Sequence, residues 1–293
     1  MYGDIRRNKF KTWLIMLVFF LIMLVVATIG YLITGRVSTV VSVLIGSIAY
    51  SIISYFISSR TALAVNGAKE VDAKTSPRLY RTVENIAITN GMPMPRVFIM
   101  QDASPNAFAT GRNPNKSYVC ATSGLLDIMD DNELQGVIAH EMGHIKNYDI
   151  RVSMVAFALV SVISMLSDII LRSMFWGGRD DENSNINPIF IVVGVVALIL
   201  APLAASLVQL AISRKREYLA DATGALTTRY PEGLASALEK IGRYGSATKI
   251  QNASTAHMFF ANPLKAKSLM RIFSTHPPIE DRVAKLRGMS LNG

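Results

Sequence analysis

This sequence predicts a mainly α-helical fold of the membrane, with a small β-sheet and about four apolar helices. Three observations predict it. Residues 13–33 and 37–57 are uncharged and separated only by Thr34, Gly35 and Arg36. Two further apolar runs occur at 152–171 and 188–212. The polar segments between and after them carry helix-period apolar stripes and only three short strand-like runs.

As a helix, residues 13–33 span about 31 Å, the thickness of a hydrocarbon core, and residues 37–57 repeat that length. The pair is expected to form a transmembrane hairpin. A cleaved signal peptide fits poorly, because the apolar stretch is too long and a second one follows at once. Together these runs explain a hydrophobic fraction of 51% against 17% charged residues, which is apolar for a soluble globule. The later pair is a second expected hairpin. Its first run carries one charge, Asp168, four residues before Arg172, and its second is punctuated by Pro188 and Pro202.

Short flanking segments predict orientation. Arg6, Arg7, Lys9 and Lys11 precede the first hairpin, whereas its loop holds only Arg36. The later loop, residues 173–187, is acidic through Asp180, Asp181 and Glu182. The positive-inside rule then puts both termini and the long polar segments in the cytoplasm, on the inner side of a cell membrane. The net charge of +9 needs no nucleic acid, since a basic surface beside an anionic leaflet accounts for it. The single cysteine, Cys120, excludes an internal disulfide and fits a reducing compartment.

After the first hairpin, residues 58–91 read as helical, with Pro77 near the start of a stripe through Leu79, Val83, Ile86 and Ala87. Residues 96–100 are strand-like between prolines, and residues 106–110 and 117–122 are two more strands around a turn-rich stretch, 111–115. Asp130 or Asp131 caps a helix with Leu134, Val137, Ile138 and Ile145 on one face.

That helix carries His140-Glu141-Met142-Gly143-His144. Residues four apart share a helix face, so both imidazoles can grip one metal from the same side. Glu141 is offset enough to miss the metal and reach a water upon it. Zinc lowers the pKa of such a water toward ~7, and the carboxylate can take its proton during attack on a peptide carbonyl. The HExxH arrangement on a helix is therefore read as one catalytic Zn2+ site per chain, with Glu141 as general base.

A catalytic zinc site needs a third protein ligand. His257 and His276 are available, but the metzincin arrangement is ruled out by Asn147 and Ile150. A better candidate is Glu217, with Asp221 four residues on and able to orient a ligating histidine.

These residues resemble the HtpX-type membrane metallopeptidases, relatives of the CAAX prenyl proteases. The resemblance rests on the N-terminal hairpin, the Asn-Ala-Phe-Ala-Thr-Gly run at 106–111, HEMGH, the second apolar pair, Arg-Glu-Tyr-x-Ala-Asp at 216–221, and Thr275-His276-Pro277-Pro278. It covers nearly the whole chain and departs at no metal or base position. It implies a gluzincin-type zinc metalloprotease fold, with zinc held by His140, His144 and Glu217 and with Glu141 as base. It also implies a cytoplasm-facing site and the removal of misfolded or damaged membrane proteins.

Four segments follow: a hairpin at 1–57, a first half of the catalytic domain at 58–151, a second hairpin at 152–212, and a second catalytic half at 213–293. Asn106, Ala107, Phe108, Ala109 and Thr110 are expected to form an edge strand that binds extended, unfolded protein substrates through unpaired backbone groups. The resemblance also implies that His276, ahead of Pro277 and Pro278, faces the site, where it is expected to donate to the developing oxyanion. Arg282 is left without a role. Two rivals are a prenyl-protein processing protease and a non-catalytic membrane holdase with a structural zinc. The first would need a larger membrane chamber, and the second has no use for Glu141. Oligomeric state is not legible.

Overall fold

The structure is a computed structural model that describes residues 2–159, 214–245, 248–249, 258–261 and 277–290. Two compact units are present. One combines Met1–Phe10, Ser59–Met154 and Ile212–Gly293; the other combines Lys11–Ser58 and Val155–Ala211.

The helix α1 (Tyr2–Thr34) contains a 25-residue apolar stretch, Asn8–Leu32, long enough to cross a membrane. Ile15, Met23 and Ala27 are buried, but much of its apolar surface is exposed, with Trp13 at 65% and Leu32 at 75%. Lipid accommodates such a surface, whereas water opposes it by roughly 25 cal/mol per Å². The helix α2 (Val37–Val65) is less regular: it bends by 60° between Ile53 and Tyr55, and counts as a second span only if both parts are taken together. The expectation of about four apolar helices is thus narrowed to one clear span, or two with the bent helix, among the described residues. Residues 149–159 are helical, but most of the later apolar pair lies outside the described residues.

The unit that holds the candidate site is built on a four-stranded mixed sheet in the order β1-β2-β4-β3. Its strands are β1 (Lys69–Val71), β2 (Arg96–Met100), β3 (Ala107–Asn113) and β4 (Lys116–Thr122). β1 runs antiparallel to β2, β2 parallel to β4, and β3 antiparallel to β4. β1 interrupts the stretch at 58–91 read as helical. Lys-Glu-Val has no apolar alternation, and its pairing is fixed by β2 and by the Arg96–Glu70 ion pair rather than by local pattern. The helix α3 (Pro77–Asn90) then buries Leu79, Val83, Ile86 and Ala87 as the stripe predicts.

A short helix, α4 (Ser123–Ile128), leads to α5 (Asp131–Lys146), the HEMGH helix. Asp130 is its cap: the Asp130 carboxylate accepts from the Glu133 N–H at 2.9 Å, and Glu133 accepts from the Asp130 N–H at 2.8 Å. This reciprocal box satisfies two donors that the first turn leaves open. Leu134, Val137, Ile138 and Ile145 are all buried, together with Met142. Among the described residues, the unit also contains α6 (Arg214–Thr228), α7 (Pro231–Tyr244) and α8 (Ile279–Ser290). α5 lies at the centre, against α3, α6, α7 and β3.

Candidate metal centre

The site forms where α5 and α6 cross at close range. A Cβ added at Gly224 of α6 would stand 3.0 Å from the His140 backbone nitrogen, and one at Gly143 of α5 would stand 3.3 Å from Thr223 Cβ. Two glycines at the crossing let the helix backbones approach, so side chains one turn away meet instead of passing. Glu217 and Asp221 of α6 are thereby brought onto the histidines of α5.

His140 Nε2 and His144 Nε2 lie 3.1 Å apart. Glu217 Oε1 is 3.5 Å from His144 Nε2, and its Oε2 is 3.9 Å from His140 Nε2. One ligand atom from each of the three residues falls within 4.8 Å of the others. Tetrahedral zinc with bonds near 2.0–2.2 Å separates its ligand atoms by about 3.3 Å, so this donor set suits such an ion. The outer ring nitrogens strengthen the fit. His140 Nδ1 is 2.8 Å from Asp221 Oδ1, and His144 Nδ1 is 3.0 Å from Asp149 Oδ2. A carboxylate opposite Nδ1 holds the proton there and aims the Nε2 lone pair inward. Two lone pairs converging at 3.1 Å repel unless a cation or proton lies between them.

Titration behaviour follows from burial and neighbours. Burial pulls His140 down to about 4, although Asp221 opposes it. For His144 burial acts the same way, but the hydrogen bond to Asp149 and the charge of Glu217 outweigh it and raise the ring to about 9. Burial raises Asp221 in isolation, yet the Arg282 charge beside it holds the carboxyl at about 2. Glu141, 1% exposed, is pushed up to about 7 by its own burial. A backbone hydrogen bond from Ala109 of β3 partly counters that rise. Glu141 shares a cavity with Ala109, His144, Glu217, Met258 and Phe259. A carboxyl poised near neutrality beside the converging Nε2 atoms is able to exchange a proton with a reacting water.

Of the residues expected at the site, His140, Glu141, His144, Glu217 and Asp221 are therefore assembled in one place. His276 lies outside the described residues. Of residues 106–110, Ala107–Thr110 lie in the outermost strand, β3, with Asn106 just before it, and all five are buried. Backbone groups of an antiparallel strand point alternately toward and away from the partner, and the outward ones here include Ala107 and Ala109. The Ala107 carbonyl already accepts from Phe260 N–H at 2.7 Å, and Phe108 bridges Phe259. Asn106 clamps the same segment: its Nδ2 donates to Ala261 O at 2.8 Å, and its Oδ1 accepts from Ala261 N–H at 3.1 Å. The edge expected to be open is thus covered over residues 106–108 by the chain's own residues 258–261. The Phe108 and Phe259 rings, 4.8 Å apart, explain why that segment stays.

Two residues escaped the sequence reading. Asp149 follows the motif closely, but its approach to His144 depends on Tyr148, whose φ of 61° turns the chain back on itself. A left-handed tyrosine has no strong sequence signal. Arg282 is given no role by the sequence, since an arginine on an amphipathic terminal helix is more often solvated than bonded to a buried group. It is instead 1% exposed, donates from Nη2 and Nε to Asp221 at 2.7 and 2.9 Å, and stacks 4.8 Å from the Phe260 ring centroid. Its Nη2 also lies 3.4 Å from His140 Nδ1, where two donors converge on one Asp221 oxygen.

Comparison with known proteins agrees with this geometry. The family model described as peptidase family M48 matches residues 73–290. A "Protease HtpX homolog" of Tropheryma whipplei is 50% identical over 294 residues, spanning 99% of this chain and 98% of that protein. Proteins of the same name from Streptococcus thermophilus and Streptococcus gordonii are 45% and 43% identical, each covering 99% of this chain and 100% of its own length. A crystal structure of S. mikatae Ste24p is a more partial likeness, with a TM-score of 0.47 and 21% identity, covering 81% of this chain and 58% of that one.

Proposed function

The chain belongs to peptidase family M48 and is a membrane metalloprotease, and we propose that it is a zinc-dependent endopeptidase that clears misfolded or damaged membrane proteins. The observation that carries the zinc assignment is the convergence of His140, His144 and Glu217 with a carboxylate behind each imidazole. In this reading those three residues hold the metal, Asp221 and Asp149 orient the histidines, and Glu141 is the base. Zinc, when bound, supplies Lewis acidity that polarises a peptide carbonyl and acidifies a water.

Glu141 removes a proton from the attacking water and returns it to the leaving amine nitrogen. Its burial supports both halves of that exchange, because a carboxyl raised to about 7 is a stronger base than an exposed one and still gives the proton up near neutral pH. The peptide is assigned to the side of β3 where Ala109 borders the cavity that Glu141 shares. Backbone pairing of this kind binds extended chains with little regard to sequence, which suits unfolded substrates. His276 is assigned as a donor to the developing oxyanion on the family resemblance and on its place before Pro277 and α8.

The catalytic domain is divided into halves at 58–151 and 213–293 by the second apolar hairpin, in a multi-pass arrangement with both termini and the site in the cytoplasm. The basic residues in the first turns of α1 (Arg6, Arg7, Lys9 and Lys11) and the single Arg36 after it support that orientation. The deciding experiment is zinc-dependent cleavage of an unfolded protein by detergent-solubilised enzyme, compared with Glu141→Ala. Equal cleavage by the two would reject this assignment.

A further inference from the structure

We propose that Asn8, in the opening turns of the N-terminal apolar helix, is a positioning residue for the metal site, acting through Asp149 on His144. The proposal rests on the assignment of His144 as a ligand. Asn8 is buried, and its Nδ2 donates twice: to Asp149 Oδ1 at 2.7 Å and to the Asn147 carbonyl at 2.9 Å. The other oxygen of Asp149, Oδ2, faces His144 Nδ1 at 3.0 Å. A chain of hydrogen bonds therefore runs from residue 8 to a ligand imidazole, across 141 positions of sequence to Asp149.

The turn that presents Asp149 needs such a brace. Tyr148 holds φ at 61°, a conformation that costs a non-glycine residue free energy and persists only when its surroundings enforce it. Both hydrogen bonds from Asn8 land on the residues flanking Tyr148, and Lys9 Nζ lies 5.4 Å from the centroid of the Tyr148 ring. Arg216, one residue before Glu217, approaches the same Asp149 oxygen at 3.6 Å. Asp149 is thus held between the N-terminal segment and α6, and its two oxygens are divided between support and ligand. With its N–H donors engaged by Asp149 and Asn147, Asn8 fixes the direction of the carboxylate. Through it, Asn8 fixes the His144 ring plane and the aim of Nε2.

The test uses the full-length chain in detergent micelles. Zinc dissociation constants are measured by chelator competition, and the visible spectrum of cobalt-substituted protein reports ligand geometry. Asn8→Ala and the near-isosteric Asn8→Leu are each expected to weaken zinc binding roughly 3–10-fold and to shift the cobalt bands, a smaller effect than the ~10–100-fold typical of a group bonded directly to a ligand. Neither is expected to weaken zinc further in an Asp149→Ala background, because Asn8 acts through that carboxylate. Parent-like affinity and spectrum in Asn8→Leu would make the residue a packing element and overturn the proposal. So would a loss that adds fully to that of Asp149→Ala. Undiminished zinc affinity in His144→Ala would instead reject the ligand assignment beneath it.

Discussion

Arg282 and Asp221, 61 residues apart in sequence, form a buried two-pronged ion pair behind His140, with N–O distances of 2.7 and 2.9 Å. The planar guanidinium matches the carboxylate edge to edge, which fixes the orientation of Asp221 and hence of the oxygen that meets His140 Nδ1. Removing one member of a buried pair leaves an uncompensated charge and costs about 3–5 kcal/mol. Arg282→Ala is therefore expected to melt at a lower temperature and to bind zinc more weakly. Arg282→Lys keeps the charge but loses the fork, and should fall between. Thermal melts with and without zinc measure both effects, and a fully stable Arg282→Ala would contradict the role.

In the proposed mechanism Glu141 acts on the attacking water and is not assigned to the metal. Glu141→Ala is expected to lose ~10²–10⁴-fold or more in turnover while keeping one zinc per chain. Metal analysis beside a cleavage assay decides it: a variant that has also lost its zinc would mean that Glu141 has another role.

Glu217 and Asp221 lie on one helix, and the proposed site gives them different tasks. Glu217→Ala should abolish tight zinc binding, because it removes a ligand atom. Asp221→Ala should weaken zinc by roughly 10–100-fold, the usual effect of losing a group that orients a ligand. Full zinc occupancy of Glu217→Ala at nanomolar free zinc would send the search for a third ligand elsewhere, with His276 next.

Gly224 sets the helix spacing on which the site depends. Gly224→Ala gains up to about 1 kcal/mol of helix propensity, yet its Cβ would press on the His140 backbone, and overpacking of that kind costs roughly 1–3 kcal/mol. Backbone cannot swing aside as a side chain does, so the cost should win. The expected result is a lower melting temperature and weaker zinc binding, read by calorimetry and chelator competition. A stabilised variant with unchanged zinc affinity would show that the crossing tolerates a wider gap.

Topology is open to single-cysteine labelling, because the native Cys120 is buried and burial raises its thiol pKa, so it stays silent. Cysteines at positions 36 and 181 are expected to label from outside intact cells, and those at 123 and 249 only after permeabilisation. Labelling of position 181 from the cytoplasmic side alone would mean that the second apolar pair does not cross the bilayer.

The local features of the unit were legible because their causes are local. The α5 cap, the buried stripe of Leu134, Val137, Ile138 and Ile145, and the shared face of His140 and His144 follow from helix periodicity acting on neighbouring residues. The apolar length of α1 is likewise a property of one segment. β1 was missed because three residues without alternation become a strand only when β2 supplies the partner.

By itself, then, the sequence determined the apolar length of α1, the buried stripes of α3 and α5, the shared helix face of His140 and His144, and the candidacy of Glu217 and Asp221. Tertiary structure decided which groups stand behind the two imidazoles and what pairs with the outer side of β3. Asp149 reaches His144 only through the left-handed Tyr148, Arg282 becomes buried only when α8 packs beside Asp221, and residues 258–261 cover β3 only because Asn106 and Phe108 hold them. Periodicity reports which face of an element is buried. It does not report which partner waits there, because that depends on contacts between residues far apart in the chain.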